Sequence, residues 1–181
     1  WLSEQGDACP AGSPQHVSSA FFMGNGPTAL DGQGRFALPV SFRSVVNAQS
    51  HEPGTMLVRG DASRNKCLTL FGTKAIEDFS NKADNAATPS SAADFDQDPE
   101  GVDFWSTVRT VTIDSGGRFS LPPAFKRLFG ITDGLFIVGG GRFAQLWAPE
   151  RFLEVNKTNL LAIEECEMVL DELKARRGGQ A

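Results

Sequence analysis

The chain has no tyrosine, only two histidines and only three cysteines among its 181 residues. It also has no apolar run approaching the roughly 20 residues a membrane helix needs; LFIV at 135–138 is the size of a strand. Each shortage excludes something. His16 and His51 lie in Gly/Pro-rich or polar surroundings and read as solvated loop residues, not catalytic bases. No Ser/His/Asp constellation can be assembled, so the chain is not expected to be an enzyme or to take a small-molecule substrate. Cys9, Cys67 and Cys166 are odd in number and far apart, with no C-x-x-C or Cys/His ligand spacing, so no metal site or other cofactor is expected. Cys67, inside CLTLF, reads as a buried thiol. GGGR at 139–142 lacks the Lys-Ser/Thr and following helix of a P-loop, and reads as a hairpin turn between LFIV and FAQLW. The first residues, WLSEQGDACP, have no basic start and no apolar core, which does not read as a secretory signal; the expected location is cytoplasmic, with no membrane partner.

What is present is an ordinary globular composition, 40% hydrophobic and 22% charged, long enough to bury a core. A net charge of −5 argues at first against nucleic acid. Its distribution argues otherwise. Asp94, Asp96, Asp98, Glu100 and Asp103 all fall within DFDQDPEGVD and equal the whole net charge. Arg35, Arg43, Arg118, Lys126 and Arg127 gather instead around a repeated motif, so a local basic face is permitted on an acidic chain.

That motif is LDGQGRFALP at 30–39, written again as IDSGGRFSLP at 113–122. Asp31 and Asp114, like Arg35 and Arg118, stand 83 positions apart. A repeat of this kind means two copies of one structural unit. In each copy Asp and Gly suit a tight turn, because glycine tolerates positive φ and Asp bonds nearby backbone N–H groups. Reading outward from the turns, the order is strand–turn–strand–helix–strand–strand–helix, twice. PTAL and RFALP flank the first turn, VSFRSVV is a Pro-started helix, TMLVRG and CLTLF form a hairpin, and TKAIEDFSNKA sets Ala75, Ile76 and Phe79 on one helix face. VRTVTID, RFSLPPAFKRLFG, LFIVGGGRFAQLW and PERFLEVNK repeat that order. Trp147 falls where strand alternation points inward, and is expected in the core rather than stacked on a base.

The predicted organisation is a disordered extension at 1–20, a first unit at 21–80, an acidic linker at 81–103, a second unit at 104–158, and a C-terminal helix and tail at 159–181. Leu161, Ile163, Val169, Leu170 and Leu173 mark the apolar residues of that last helix. Each unit has about 50–60 residues and four short strands, marginal for an independent core, so the two are expected to share one barrel or interlaced sheet. Sharing makes the two motif arginines neighbours.

Two readings of D-x-x-G-R compete. In the first, Asp and Arg form only a local ion pair, which at an exposed site adds about 0–1 kcal/mol. In the second, the arginines project beside the turn toward phosphates or base edges, which a guanidinium fork can grip bidentately, while Asp31 and Asp114 orient them.

LDGQGRFALPVSFR followed by CLTLF resembles the N-terminal half of the MraZ family, and TIDSGGRFSLPPAFKRLFGI with FAQLWAPERF resembles its C-terminal half; together they cover about residues 21–158. The resemblance implies an α+β, β-rich fold in which two SpoVT-AbrB-like units form a pseudo-two-fold small barrel with short flanking helices. It implies a nucleoid-associated transcriptional regulator that binds double-stranded DNA. Such a protein would bind short G-rich direct repeats upstream of the division and cell-wall gene cluster as a homo-oligomeric ring, acting as a repressor. Arg35 and Arg118 would contact the DNA, with Arg43, Lys126 and Arg127 beside them. This chain departs from the pattern at Met23, where the family opens F-R-G, and at Gln33, where Lys is frequent, so the first unit carries fewer cations. The alternative class is an AbrB-like protein-interaction module such as an antitoxin, but here the unit is doubled and the tail is helix-like.

Overall fold

Pairing between the halves, more than within them, builds the molecule. The computed structural model describes residues 21–60, 66–79 and 99–178; the expectations for residues 1–20, which include His16 and Cys9, and for linker residues 81–98 lie outside the described residues. The first half supplies β1 (Asn25–Ala29), β2 (Phe36–Ala37), α1 (Val40–Ala48), β3 (Thr55–Gly60), β4 (Leu68–Gly72) and α2, described over residues 75–79. After α3 (Pro99–Ser106), the second half repeats the order with β5 (Val108–Thr112), β6 (Arg118–Phe119), α4 (Pro123–Phe129), β7 (Gly134–Gly139), β8 (Ala144–Trp147) and α5 (Pro149–Val155). A long helix, α6 (Leu160–Gly178), follows. Proline starts the helices as expected: Pro123 and Pro149 occupy first-turn positions, where their missing N–H costs nothing.

The fold is α+β. Six strands form an antiparallel sheet in the order β1-β7-β8-β4-β3-β5, and β2 pairs with β6 in a separate ladder. Each half keeps its own hairpin, β3–β4 or β7–β8, and lends its first strand to the other: β1 runs along β7 from Asn25↔Val138 to Ala29↔Gly134, and β5 runs along β3 from Thr112↔Thr55 to Val108↔Arg59. Phe36 and Phe119 hold the same place in the two motifs and pair with each other, ring centroids 5.8 Å apart, which puts a pseudo-two-fold axis between them. Interlacing gives two under-sized halves one core, in which Phe22, Phe36, Phe119, Leu135 and Ile137 are almost fully buried. Among the described residues no ladder joins β5 to β1, so the sheet has two edges and closure into a barrel is not seen.

A second cluster covers the outside of the second half. There α6 lays Ala162, Cys166, Val169 and Leu173 against Phe136, Trp147, Phe152 and Cys67. Trp147 and Cys67 are buried, as the sequence predicts. Leu161 is not part of this face and is 69% exposed. Short side chains at Ala162 and Cys166 take the inward positions instead, letting α6 approach α5 closely. The linker expectation also shifts: its last residues, 99–103, lie in α3. That helix is anchored by Phe104, whose ring packs 5.0 Å from Phe79 and lies 4.5 Å beneath the Arg59 guanidinium. Ile76, which its spacing sets on one face of α2 with Ala75 and Phe79, is 39% exposed.

Candidate nucleic-acid interface

Both motifs close the same turn. Asp31 Oδ1 accepts the backbone N–H groups of Gln33 and Arg35 at 2.9 Å each, while Gly34 N–H donates to the Asp31 carbonyl at 3.0 Å. In the second copy Arg118 N–H donates to Asp114 Oδ1 at 2.8 Å, and Gly117 N–H to the Asp114 carbonyl at 2.8 Å. Gly34 and Gly117 sit at φ 76° and 81°, the left-handed region that the turn requires and glycine supplies. These N–H groups also act on the acids. The Arg35 N–H chiefly, helped by Gln33 N–H and the Arg35 guanidinium, holds the Asp31 carboxyl below its ordinary value. The Arg118 N–H chiefly, helped by the Arg35 charge, does the same for Asp114.

The β2–β6 ladder sets the two turns side by side. Arg35 is gripped from both: its Nη2 lies 3.0 Å from Asp31 Oδ2, its Nε donates to the same oxygen at 3.1 Å, and its Nη1 donates to Asp114 Oδ2 at 3.2 Å. Arg118 is held more loosely, its Nε 3.8 Å from Asp31 Oδ2. The Arg118 side chain is 50% exposed, against 29% for Arg35. The local ion pair of the plainer reading therefore exists, but it belongs to a four-residue cluster spanning the axis.

Arg43 and Lys126, themselves 83 positions apart, cross that axis in opposite directions. Arg43 Nη2 donates to the Gly116 carbonyl at 3.3 Å, and Lys126 Nζ to the Gly34 carbonyl at 2.9 Å. Each helix thus clamps the other half's turn. Lys126 also lies 5.3 Å from the Phe36 ring centroid. Arg127 is exposed on the last turn of α4. Five cations and two carboxylates therefore belong to the motif turns and the helices that follow them, a surface suited to phosphate or base-edge contact. Sequence reasoning missed the cross-axis pairing of Arg35 with Asp114, although the constant offset already equated Arg43 with Lys126. It also missed Arg176, which α6 brings to the same groove as Arg43 and Val40. His51 is exposed in a bend, as expected, with Nε2 3.0 Å from Glu77 Oε1. Among the described residues no group of His, Cys, Asp and Glu is arranged to hold a metal ion.

No family model matches the chain. Individual curated relatives do. A protein of Ruegeria sp. is 29% identical over 158 residues, covering 84% of this chain and 88% of the relative. One of Gluconacetobacter diazotrophicus is 26% identical over 71% of the chain and 78% of the relative. One of Mycoplasmoides gallisepticum is 25% identical over 83% of the chain and 98% of its own length. All three are named transcriptional regulator MraZ. The chain is thus similar to MraZ regulators over most of its length. In a chain with this likeness to MraZ the doubled turn is the feature to explain, and the interlaced sheet is what brings its two copies together. No described helix is long and apolar enough to cross a membrane.

Proposed function

We propose that this chain is a sequence-specific DNA-binding regulator whose paired motif turns present Arg35 and Arg118 to the duplex. The observation that carries this reading is the convergence of two arginine turns at one pseudo-two-fold axis, with Arg43 and Lys126 bracing the turns across it. Relatives named as transcriptional regulators support it, and regulation of transcription is not an enzymatic role. In this reading Arg118 and Arg35 read base edges or phosphates, Asp31 and Asp114 orient them, and Arg43, Lys126 and Arg127 supply flanking phosphate contacts. The two SpoVT-AbrB-like units act as one pseudo-symmetric body. Several chains form a ring on short G-rich direct repeats, repressing the division and cell-wall gene cluster from the nucleoid.

A gel shift with a duplex bearing tandem G-rich repeats tests the reading. Arg35→Ala and Arg118→Ala should each weaken binding by about 1–3 kcal/mol per contact, multiplied where several repeats are engaged. Wild-type affinity and salt dependence in both variants would show that these arginines do not contact DNA.

A further inference from the structure

A groove of about 580 Å³ runs beside β5, walled by β5, β6, the two prolines that open α4, and the motif cluster, from which both Arg118 and Arg35 reach it. Its counterpart in the first half, about 490 Å³, is walled by residues 83 positions earlier on β1 and β2, and there α6 adds Val169, Glu172, Leu173 and Arg176. The matched positions differ in kind. Where the covered groove has Pro27, Ala29 and Ala37, the open one has Thr110, Thr112 and Ser120, all three exposed. Apolar side chains suit a wall beside a packed helix; hydroxyls suit a wall that meets water or a polar ligand, since each offers a donor to an anionic oxygen. The arginines differ in the same sense, Arg35 being gripped by two carboxylates and Arg118 left half exposed. The one acid on the open wall, Asp114, already accepts the Arg118 N–H and the Arg35 guanidinium.

We propose that the second-half groove alone seats a DNA backbone segment, with the hydroxyls of Thr110, Thr112 and Ser120 donating to phosphate oxygens that flank Arg118. In the first half α6 adds a further wall to the equivalent path and places the Glu172 carboxylate on it, which opposes a phosphate. The two motifs, alike in sequence, then have unequal shares: Arg118 meets DNA with its side chain half exposed, while Arg35, at the same groove, also holds the two turns together. This inference rests on the DNA-binding reading, and the test separates them.

Thr110 and Pro27 are matched, exposed positions on the two edge strands. Binding of the full chain to a duplex carrying tandem G-rich repeats is measured by fluorescence anisotropy at fixed salt, with melting curves and light scattering on the free protein. Thr110→Glu should lose at least about tenfold in affinity, the scale of replacing a charge-assisted hydrogen bond with repulsion. Thr110→Val, which keeps the shape and removes the donor, should lose severalfold. Pro27→Glu should change affinity less than about threefold, as a screened, non-contacting charge does. Equal losses for Thr110→Glu and Pro27→Glu would overturn the asymmetry. Wild-type binding by both Thr110 variants, with Arg118→Ala impaired, would overturn the groove and leave the DNA reading standing; if Arg118→Ala were also unimpaired, the DNA reading itself would fail. A fall in particle mass with Thr110→Glu would make the groove an interface between copies and overturn its assignment to DNA.

Discussion

Gly117 meets two separate demands, and they can be told apart. Its φ of 81° disfavours any side chain, and a Cβ built there would run into the Arg43 guanidinium. Gly34 has nearly the same φ, 76°, yet its nearest neighbour, Lys126 Nζ, stands 3.9 Å from such a Cβ. Gly34→Ala should therefore cost about 1 kcal/mol of backbone strain, and Gly117→Ala about 2 kcal/mol or more, because Arg43 must also give up its hold on the turn. Urea denaturation of the two variants checks this, and equal losses would mean that the Arg43 clamp contributes nothing. The acids of the same turns predict a pH dependence. Asp31 and Asp114 are held below their ordinary 3.8 in the folded protein, so their contribution is fully present above that value and is lost as pH falls through the lower folded values. The urea midpoint should fall as pH drops below about 4, and less steeply in the Asp31→Asn/Asp114→Asn double variant. Identical slopes would remove the carboxylates from the account.

Helix α6 shows what periodicity leaves undecided. Its sequence offers leucines all round, and the buried stripe is Ala162, Cys166, Val169 and Leu173, chosen by how closely the helix can approach α5 and β7. Leu173 is 7% exposed and fills the space above Gly134, whereas Leu161 is 69% exposed. Leu173→Ala should cost about 2–5 kcal/mol by opening a cavity, and Leu161→Ala should stay within about 0.5 kcal/mol. Thermal or chemical denaturation of each variant tests the assignment; comparable losses would place Leu161 in contacts that the folded chain does not make. The other elements were more legible. Proline at a helix start and Asp-x-x-Gly at a turn act within a few residues, so α1, α4, α5 and both motif turns could be read directly. α3 could not, because its anchor is a ring contact between Phe104 and Phe79, 25 residues apart in sequence.

For the whole molecule, the supply of charge would limit the proposed DNA binding. One chain offers Arg35, Arg43, Arg118, Lys126 and Arg127 at its motif face, and three of these, Arg35, Arg43 and Lys126, also hold turns together. Each neutralised phosphate adds only a modest, salt-screened share, so a lone chain should bind too weakly to find one site among many competitors. Repetition of the unit around a ring would compensate by avidity. The chain also exposes large apolar side chains away from the motif, Val102 and Trp105 on α3, and Leu160, Leu161 and Met168 on α6. Size exclusion with light scattering should therefore find a homo-oligomer larger than a dimer, with affinity rising steeply with the number of adjacent repeats. A monomer that binds a single repeat tightly would sink this expectation.

The doubled Asp-x-x-Gly-Arg turn, the order of strands and helices, the burial of Cys67 and Trp147 and the family resemblance were all present in the sequence, because turn chemistry and strand alternation act over a few residues. The partners across the axis were not. That Arg35 spans to Asp114, that Arg43 clamps the opposite turn, and that α6 lines one of two matched grooves depend on strands exchanged between halves. No local pattern encodes such an exchange, because it comes from two under-sized halves burying one common core.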